Sequence, residues 1–309
     1  MARLAVKECA TQIGKTVELA GWVDVRRDHG KLIFIDLRDE TGVVQMVVTP
    51  KNGALYKEAD RVRPEWVISV KGEVRARPEG MQNEKIATGS VEIGVTEFVV
   101  LNPAETPPFD IAGDGYDIGE EIRLEYRYLD LRRKRLQKNL RLRPEAVKIV
   151  RQFLGEQKFI NIETPLLTKS TPEGSRDFLV PSRMQPGKFY ALPQSPQQYK
   201  QLFMIGGFER YFQIARCIRD EDLRSDRAFE HTQIDIEMSF VTREDITRLV
   251  EEMIIKTAEH FGRTIKSKPF PVFTYSEAME KYGADKFDMR TNEEKQQGIL
   301  AYAWVVDFP

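Results

Sequence analysis

The sequence predicts a multi-domain α+β protein, with an all-β first domain and a mixed second domain. Length and composition permit this fold, because 309 residues of which 41% are hydrophobic can bury two cores. The first hundred residues hold short β-rich segments separated by glycine, proline, aspartate and asparagine. From Pro144 onward the apolar residues recur with helical spacing. This change of period places a domain boundary near Pro144.

The first domain, residues 1–103, is predicted to be an oligonucleotide-binding (OB) barrel. Five β-rich segments match the number of strands in that fold, which offers one face of its sheet to single-stranded bases. The predicted strands are Val17–Val25, Leu32–Arg38, Val43–Val48, Trp66–Val74 and Val91–Leu101. Residues 26–30, the sequence RRDHG, are predicted to form a turn.

A nucleic-acid face on this barrel requires an aromatic ring, an amide and nearby arginines. Stacking on such a ring is worth about 1–3 kcal/mol per base. The candidates are Phe34, Gln45, Arg75 and Arg77, with the two arginines expected on one face because they are two residues apart. Phe34 also alternates with Ile33 and Ile35, which is typical of a core position. The residues alone leave both interpretations open.

The most charged stretch of the second domain, residues 213–240, predicts a site for a polyphosphate and its purine. Two alternating strands, Tyr211–Arg216 and Gln233–Phe240, flank a loop dense in arginines and carboxylates. Arg219 can bind a phosphate through two hydrogen bonds, and Glu221 can accept a hydrogen bond from an adenine amino group. Spacing alone does not exclude a solvated charged hairpin.

The motif RDEDLRSDR…EHTQIDIEMSF in this stretch resembles motif 2 of the class II aminoacyl-tRNA synthetases, and specifically the bacterial aspartyl-tRNA synthetases. The resemblance implies ATP as a substrate, with Arg219 and Glu221 as catalytic residues. The ATP-binding positions that it implies are Arg219, Asp220, Glu221, Arg227, Ala228 and His231. His231 stands where relatives usually stack a phenylalanine on adenine, and Ala228 replaces a frequent glutamine. These two departures leave open weaker ATP binding or a different orientation of the bound ATP.

The segment QSPQQYKQ, residues 194–201, predicts a pocket for the amino acid. Ser195 before Pro196 predicts a helix N-cap, and Gln197 and Lys200 project from the same side of that helix. A lysine suits an acidic substrate, since a neutral analogue would leave the cation unpaired; an exposed surface lysine is the alternative. The segment resembles the aspartate-binding motif of the same family. The aspartate ligands that the resemblance implies are Glu173, Ser195, Gln197, Lys200, Arg219, Gln233 and Asp235.

Glu173 lies in Ser170–Arg183, a segment whose proline, glycine and serine content predicts a mobile lid or a plain surface loop. By resemblance this is the flipping loop of the synthetases, whose glutamate closes over the ammonium of the amino acid. Gln233 and Asp235 share one face of the second motif 2 strand. The resemblance implies that Asp235 also binds the α-ammonium group.

The sequence GWVDVRRDHGKLIFIDLRDETGVVQMVV resembles the anticodon-binding domain of the aspartyl-tRNA synthetases. The anticodon contacts that the resemblance implies are Arg27, Phe34, Gln45, Arg77 and Glu92. Phe34 and Gln45 would meet the central uridine, and the others would lie around the flanking bases. His29 and Gly80 match bacterial enzymes that charge both tRNA-Asp and tRNA-Asn, so we expect relaxed tRNA selection. An ordinary exposed turn residue is the alternative for His29.

A linker, residues 104–143, is predicted to join the two domains. Its prolines and glycines break regular structure in the first part of the linker. A basic run follows at 123–143 and is predicted to be a helix with a solvated face. We expect this face also to lie beside the tRNA backbone. A second helix is predicted over Pro144–Gln157, with proline in its first turn. This helix and the following FINIETPLLTKS resemble motif 1, which implies a homodimer interface at Pro165.

The predicted divisions of the second domain are a catalytic core at 144–281, a remnant of an insertion domain at 282–300 and a return strand at 301–309.

The resemblance implies a reaction without a covalent enzyme intermediate. The α-carboxylate of L-aspartate attacks the α-phosphate of ATP, and the aspartyl group then passes from the adenylate to tRNA-Asp or tRNA-Asn. Catalysis of this kind depends on positioning and charge stabilisation, with Arg219 on the α-phosphate and Mg²⁺ neutralising the phosphates. An amidotransferase partner that corrects Asp-tRNA-Asn is left open.

Composition excludes other classes of protein. Lys and Arg total 47 against 48 Asp and Glu, so any nucleic-acid site must be a local patch. Two distant cysteines, Cys9 and Cys217, argue against a disulfide framework or a structural zinc site. No signal peptide or membrane span is predicted, so we expect a cytoplasmic protein.

The third motif of the family, a glycine-rich strand and helix that end in an ATP-binding arginine, is not found in these 309 residues. The arginine that would clamp the aspartate side chain is not found either. We therefore interpret the chain as the front part of such an enzyme, truncated before motif 3. The rival hypothesis is a short paralogue that binds tRNA without catalysis. An asparaginyl- or lysyl-tRNA synthetase is a lesser alternative, against which Lys200 argues.

Overall fold

Two units make up the chain, Met1–Lys138 and Asn139–Pro309. The computed structural model describes residues 3–171, 173–224 and 227–309. Buried hydrophobic clusters lie separately in the first and the second unit. The predicted multi-domain α+β fold is therefore confirmed.

The first unit contains a closed five-stranded barrel with the strand order β1-β2-β3-β5-β4. Its strands are β1 (Thr16–His29), β2 (Leu32–Asp39), β3 (Gly42–Val48), β4 (Val67–Ala76) and β5 (Val91–Asn102), and a helix α1 (Gly53–Arg61) lies between β3 and β4. Strands β3 and β5 pair in parallel, and the other neighbours pair antiparallel. All five predicted strands are present, so the predicted OB barrel is confirmed.

Strand β2 shows how the barrel separates its two faces. Ile33 and Ile35 are fully buried in the core, while Phe34 between them is half-buried on the outer face. The predicted turn over 26–30 is wrong, because Arg26 to His29 continue β1 and pair with β2. Only Gly30, with a φ of 63°, and its neighbour Lys31 form the turn. Backbone pairing across the hairpin outweighed the polar composition on which the turn prediction rested.

The basic run predicted to be one helix is divided among three. These are α2 (Glu120–Glu125), α3 (Arg127–Asp130) and α4 (Lys134–Glu156). The predicted helix start at Pro144 is wrong, since α4 begins at Lys134 and continues through the proline. An interior proline costs about 3 kcal/mol. Burial of Val150, Phe153 and Leu154 on the same helix offsets that cost.

Arg133 shows that the basic run is not simply a solvated face. Its side chain is 1% exposed and its guanidinium donates to Asp130 Oδ1 at 2.8 Å. The same group donates to the carbonyl oxygens of Gly113 at 3.0 Å and Asp110 at 2.6 Å. This buried arginine therefore ties the segment around Asp110 and Gly113 to Asp130, within the linker itself.

The second unit is built on a three-stranded sheet with the order β10-β9-β6. Its elements are β6 (Ile160–Asn161), β7 (Leu179–Pro181), β8 (Phe189–Ala191), α5 (Gln197–Ile205), β9 (Arg210–Ile218), β10 (Glu230–Met238) and α6 (Arg243–His260). Strands β9 and β10 form an antiparallel hairpin at the two predicted strand positions. Helices α4 and α6 cover one face of the sheet around Phe153, Phe212 and Met253. The predicted lid also contains strand β7, which pairs with β8.

The end of the second unit is a small crossover. Its elements are β11 (Val272–Thr274), α7 (Tyr275–Tyr282), α8 (Asn292–Gln296) and β12 (Trp304–Val306). Strands β11 and β12 pair in parallel and form a sheet of their own. Within the described ranges, no helix combines the length and the apolar character needed to cross a membrane.

Candidate active site and nucleic-acid face

The floor of the candidate active site is the face of β10 opposite helices α4 and α6. Alternation along the strand places four polar side chains on this face, namely His231, Gln233, Asp235 and Glu237. Their partners on β9 are Cys217, Ala215, Gln213 and Tyr211. Burial, and secondly the nearby Asp235 carboxylate, raise the pKa of the Cys217 thiol to about 11. This cysteine is therefore a neutral part of the floor.

Lys200 reaches this floor from helix α5. Its Nζ lies 2.5 Å from Asp235 Oδ1 and 3.4 Å from Glu237 Oε2, and its side chain is only 12% exposed. Two protein carboxylates already pair with this cation, so the expected discrimination by an unpaired lysine stays a prediction. Glu237 is a site residue that the sequence interpretation missed. Its position two residues after Asp235 on a strand was the available signal.

Ser195 joins the predicted lid to helix α5. Its hydroxyl donates to Glu173 Oε2 at 2.6 Å and accepts from the backbone N–H of Gln197 at 3.0 Å. Pro196 occupies the N-cap position, while Ser195 just before it supplies the capping hydrogen bond that the sequence predicts. Gln197 is half-buried in the first turn of the helix. Glu173 from the predicted lid, and Ser195 and Lys200 from the segment around the start of α5, thus meet on one side of β10.

A cavity of about 340 Å³ lies at the other end of the floor. It is lined by Arg219, Glu221, Arg227, Ala228 and His231, five of the six predicted ATP-binding positions. Glu221 lies 4.0 Å from the Arg219 guanidinium and 3.7 Å from that of Arg227. The sixth position, Asp220, does not line the cavity and lies 3.7 Å from Arg176 instead. Two arginines and one carboxylate give this cavity a positive balance that suits phosphate.

A larger cavity of about 550 Å³ lies on the opposite face of the same sheet. Its lining is mainly apolar and includes Val147, Val150, Ile234 and Met253. It contains none of the predicted site residues.

The outer face of the barrel gathers the predicted anticodon residues. Arg27 is directly opposite Phe34, Gln45 is opposite Glu92, and the Gln45 amide donates to Glu92 at 3.1 Å. Arg27 also donates to Asp36 at 2.8 Å. Asp36 is opposite Gln45 and therefore completes the row, although the sequence interpretation missed it. Burial raises the pKa of the Asp36 carboxyl above its usual range, with the Arg27 charge opposing that shift.

The remaining predicted positions are less closely grouped. Arg77 is 8% exposed just beyond β4 and donates to the carbonyl oxygen of Val91, whereas Arg75 is exposed and bonds Glu73. The two arginines are therefore not equivalent members of one open face. Other positions are His29 at the exposed end of β1, Gly80 with a φ of 79° between β4 and β5, and Pro165 exposed after β6.

Comparison with known proteins places this geometry in a family. Residues 119–309 match the family model described as tRNA synthetases class II (D, K and N), which is more than half of the chain. This chain belongs to the class II tRNA synthetases. Residues 17–101 of the synthetase match the OB-fold nucleic acid binding domain.

Two curated relatives of this class II synthetase chain are named aspartate–tRNA(Asp/Asn) ligase. The protein of Rubrobacter xylanophilus is 53% identical over 91% of this chain, and that of Moorella thermoacetica is 56% identical over 91%. The chain spans 47% of the length of each of them, about half. The crystal structure of asparaginyl-tRNA synthetase from Pyrococcus horikoshii with asparaginyl-adenylate aligns with a TM-score of 0.76 at 24% identity. It covers 96% of this chain and 71% of that chain, a likeness of fold.

Proposed function

We propose that this chain carries the amino-acid-activating and tRNA-recognising parts of an aspartate–tRNA ligase that serves tRNA-Asp and tRNA-Asn. The observation that carries the proposal is Lys200, held between Asp235 and Glu237 beside the cavity that contains Arg219 and Glu221. The names of the two bacterial relatives support the same substrate.

In this proposal L-aspartate lies over β10. A lysine ammonium has three donors, so Lys200 can hold Asp235, Glu237 and one carboxylate of the substrate at once. The carboxylates of Glu173 and Asp235 face the α-ammonium group. Because three protein carboxylates, Glu173, Asp235 and Glu237, surround this position, the substrate ammonium contributes to binding as well as the acidic side chain.

ATP occupies the neighbouring cavity. Arg219 holds the α-phosphate while the α-carboxylate of aspartate attacks it, which forms the adenylate and releases pyrophosphate. Glu221 accepts from the adenine amino group, and His231 offers a ring for stacking. The step needs positioning and charge stabilisation rather than a general base.

Magnesium enters this proposal as part of the ATP substrate. No group of three or more His, Cys, Asp or Glu side chains in the part of the chain that the structure describes is arranged to hold a metal. Mg²⁺ keeps several waters and binds through phosphates with one or two carboxylates, so this donor set is compatible with a nucleotide-borne ion. Glu221 is the carboxylate of the cavity that could contribute.

The barrel binds the anticodon in the same proposal. Phe34 stacks on the central base, and the row of Arg27, Gln45 and Glu92 contacts base edges.

A second copy of the chain packs at Pro165, where Leu166 and Leu167 are each about half exposed (50% and 53%). Such a ligase acts in the cytoplasm, and an amidotransferase that corrects Asp-tRNA-Asn is a compatible partner.

The test is ATP–pyrophosphate exchange by the 309-residue chain, with aspartate, asparagine, lysine or no amino acid. Exchange that depends on aspartate alone supports the proposal, and exchange with asparagine or lysine contradicts it. Binding of tRNA-Asp is measured in parallel. Retained tRNA binding without any exchange would favour a tRNA-binding module that does not activate an amino acid.

A further inference from the structure

Gln194 is a buried amide to which the proposed chemistry assigns no role. Its side chain is 1% exposed and lies between β8 and α5. Its Oε1 accepts from the backbone N–H of Ser175 at 3.2 Å. Its Nε2 lies 3.2 Å from the carbonyl oxygen of Thr171, 3.0 Å from that of Ser175 and 2.6 Å from Asp177 Oδ1. One side chain therefore binds three residues of the predicted lid.

The segment held in this way carries the residues that close the site. Glu173 lies within it and accepts from Ser195, the residue that follows Gln194. Ser175 donates through its hydroxyl to Glu221 at 2.8 Å, which links the lid to the nucleotide cavity. The carbonyl oxygen of Gln194 also accepts from Arg219 Nε at 3.4 Å. Gln194 thus contacts the lid through its side chain and Arg219 through its backbone carbonyl oxygen.

We infer that Gln194 is a positioning residue that latches the lid, residues 171–177 apart from Pro172, over the amino-acid pocket. An amide suits this position because it accepts from one N–H while it donates to nearby oxygens. A carboxylate of the same size would face three oxygen acceptors and no longer donate. A methionine would leave the partly buried carbonyl oxygens of Thr171 and Ser175 without this donor. Either change therefore favours an open lid.

The latch is tested by hydrogen exchange of the 309-residue chain with Gln194→Glu and Gln194→Met. Gln201→Glu is the matched control, because Gln201 is an exposed glutamine on the neighbouring helix. We expect exchange of the lid peptide 170–177 to accelerate at least tenfold in both Gln194 variants. Exchange of β9 should stay as in the wild type, and the control should change neither peptide.

Two results would overturn the latch. Unchanged exchange of the lid would mean that Gln194 does not hold it. Equal acceleration in the lid and in β9, or failure of both variants to fold, would mean that Gln194 only supports the fold of the whole unit. This test requires no catalytic activity, so it is independent of the proposed function.

A binding measurement then connects the latch to the proposed function, on which this part rests. The affinity of the chain for a non-hydrolysable aspartyl-adenylate analogue should fall at least tenfold in both Gln194 variants and stay unchanged in the control. Wild-type chain that does not bind the analogue would contradict the proposed function while the exchange result on the lid still stands. Wild-type affinity in variants with an open lid would overturn the positioning role.

Discussion

Lys200 Nζ lies 2.5 Å from Asp235 Oδ1, with the two side chains 12% and 6% exposed. The lysine is on α5 and the aspartate on β10, so this pair joins the helix to the floor of the site. Removal of one partner from a buried pair costs about 3–5 kcal/mol, because the other charge is left without compensation. Glu237 adds a second carboxylate whose repulsion of Asp235 would then be unscreened.

On the proposed function, Lys200→Met should therefore abolish aspartate-dependent ATP–pyrophosphate exchange, and it should lower the melting temperature. The exposed loop residue Lys188, changed to Met, is the control and should alter neither property. The double variant Lys200→Met with Asp235→Leu should recover stability without exchange, since it removes both charges. Unchanged exchange in Lys200→Met would remove this lysine from the site.

Phe34→Ala should weaken tRNA binding about tenfold or more and leave the free energy of unfolding nearly unchanged. Phe34 is on the outer face of β2, and stacking of a base is worth about 1–3 kcal/mol. The adjacent core residue gives the matched control. Ile35→Ala should lower the free energy of unfolding by about 2–5 kcal/mol. A Phe34→Ala protein that is as unstable as Ile35→Ala would show that Phe34 is a core residue.

On the proposed function, His29→Leu should shift charging towards tRNA-Asp alone. His29 is exposed at the end of β1, so the substitution changes a contact surface and not the core. Lys31→Leu, in the same hairpin, is the control for added apolar surface. The ratio of initial rates with tRNA-Asp and tRNA-Asn is the measurement. An unaltered ratio would refute a role for His29 in selection.

Arg133→Met should lower the free energy of unfolding of the first unit by about 1–3 kcal/mol, because Asp130 Oδ1 and the carbonyl oxygens of Asp110 and Gly113 would lose their donor, while Arg127 still pairs with Asp130. Urea denaturation followed by circular dichroism measures this change. Lys134→Met, at the exposed next position, should cost less than about 0.5 kcal/mol. A loss below about 1 kcal/mol in Arg133→Met would contradict the structural role assigned to this pair.

Both cysteine thiols should resist alkylation in the folded chain. Burial raises the pKa of Cys9 and of Cys217 from 9.0 to about 11, so at pH 8 the folded thiolate fraction is about a hundredfold below the unfolded one. Iodoacetamide labelling followed by mass spectrometry should show this difference between native protein and protein in urea. The raised pKa values also contribute to the free energy of unfolding. This contribution is fully present below pH 9 and is lost as the pH rises from 9 towards 11. Equal labelling rates would contradict the burial.

The strands of the barrel could be predicted because period-two alternation records which side chains face the core. Ile33 and Ile35 face inward and Phe34 faces outward for that reason. The start of α4 could not be predicted in the same way. Pro144 favours a helix start by local rules, but packing of the rest of the helix outweighed its cost.

In the candidate site, too, some features could be predicted from the sequence and others could not. The types and spacing of Lys200, Arg219 and Asp235 are sufficient to indicate a charged pocket. The contact of Lys200 with Glu237 and the binding of the lid by Gln194 could not be inferred from the sequence. These partners are separated by 17 to 46 residues of sequence, from Gln194 with Asp177 to Ser175 with Glu221, and no local pattern encodes such a pairing.

The order of residues was sufficient to establish the barrel, the β9–β10 hairpin and the chemical character of the site, because side-chain period and charge are properties of neighbouring residues. The tertiary fold decided which charges are buried, which are paired and which residues hold the lid. Burial makes a charge or an amide energetically important only when a distant segment excludes water from it and supplies its partner. That condition depends on distances across the folded chain, as the Lys200–Asp235 pair illustrates.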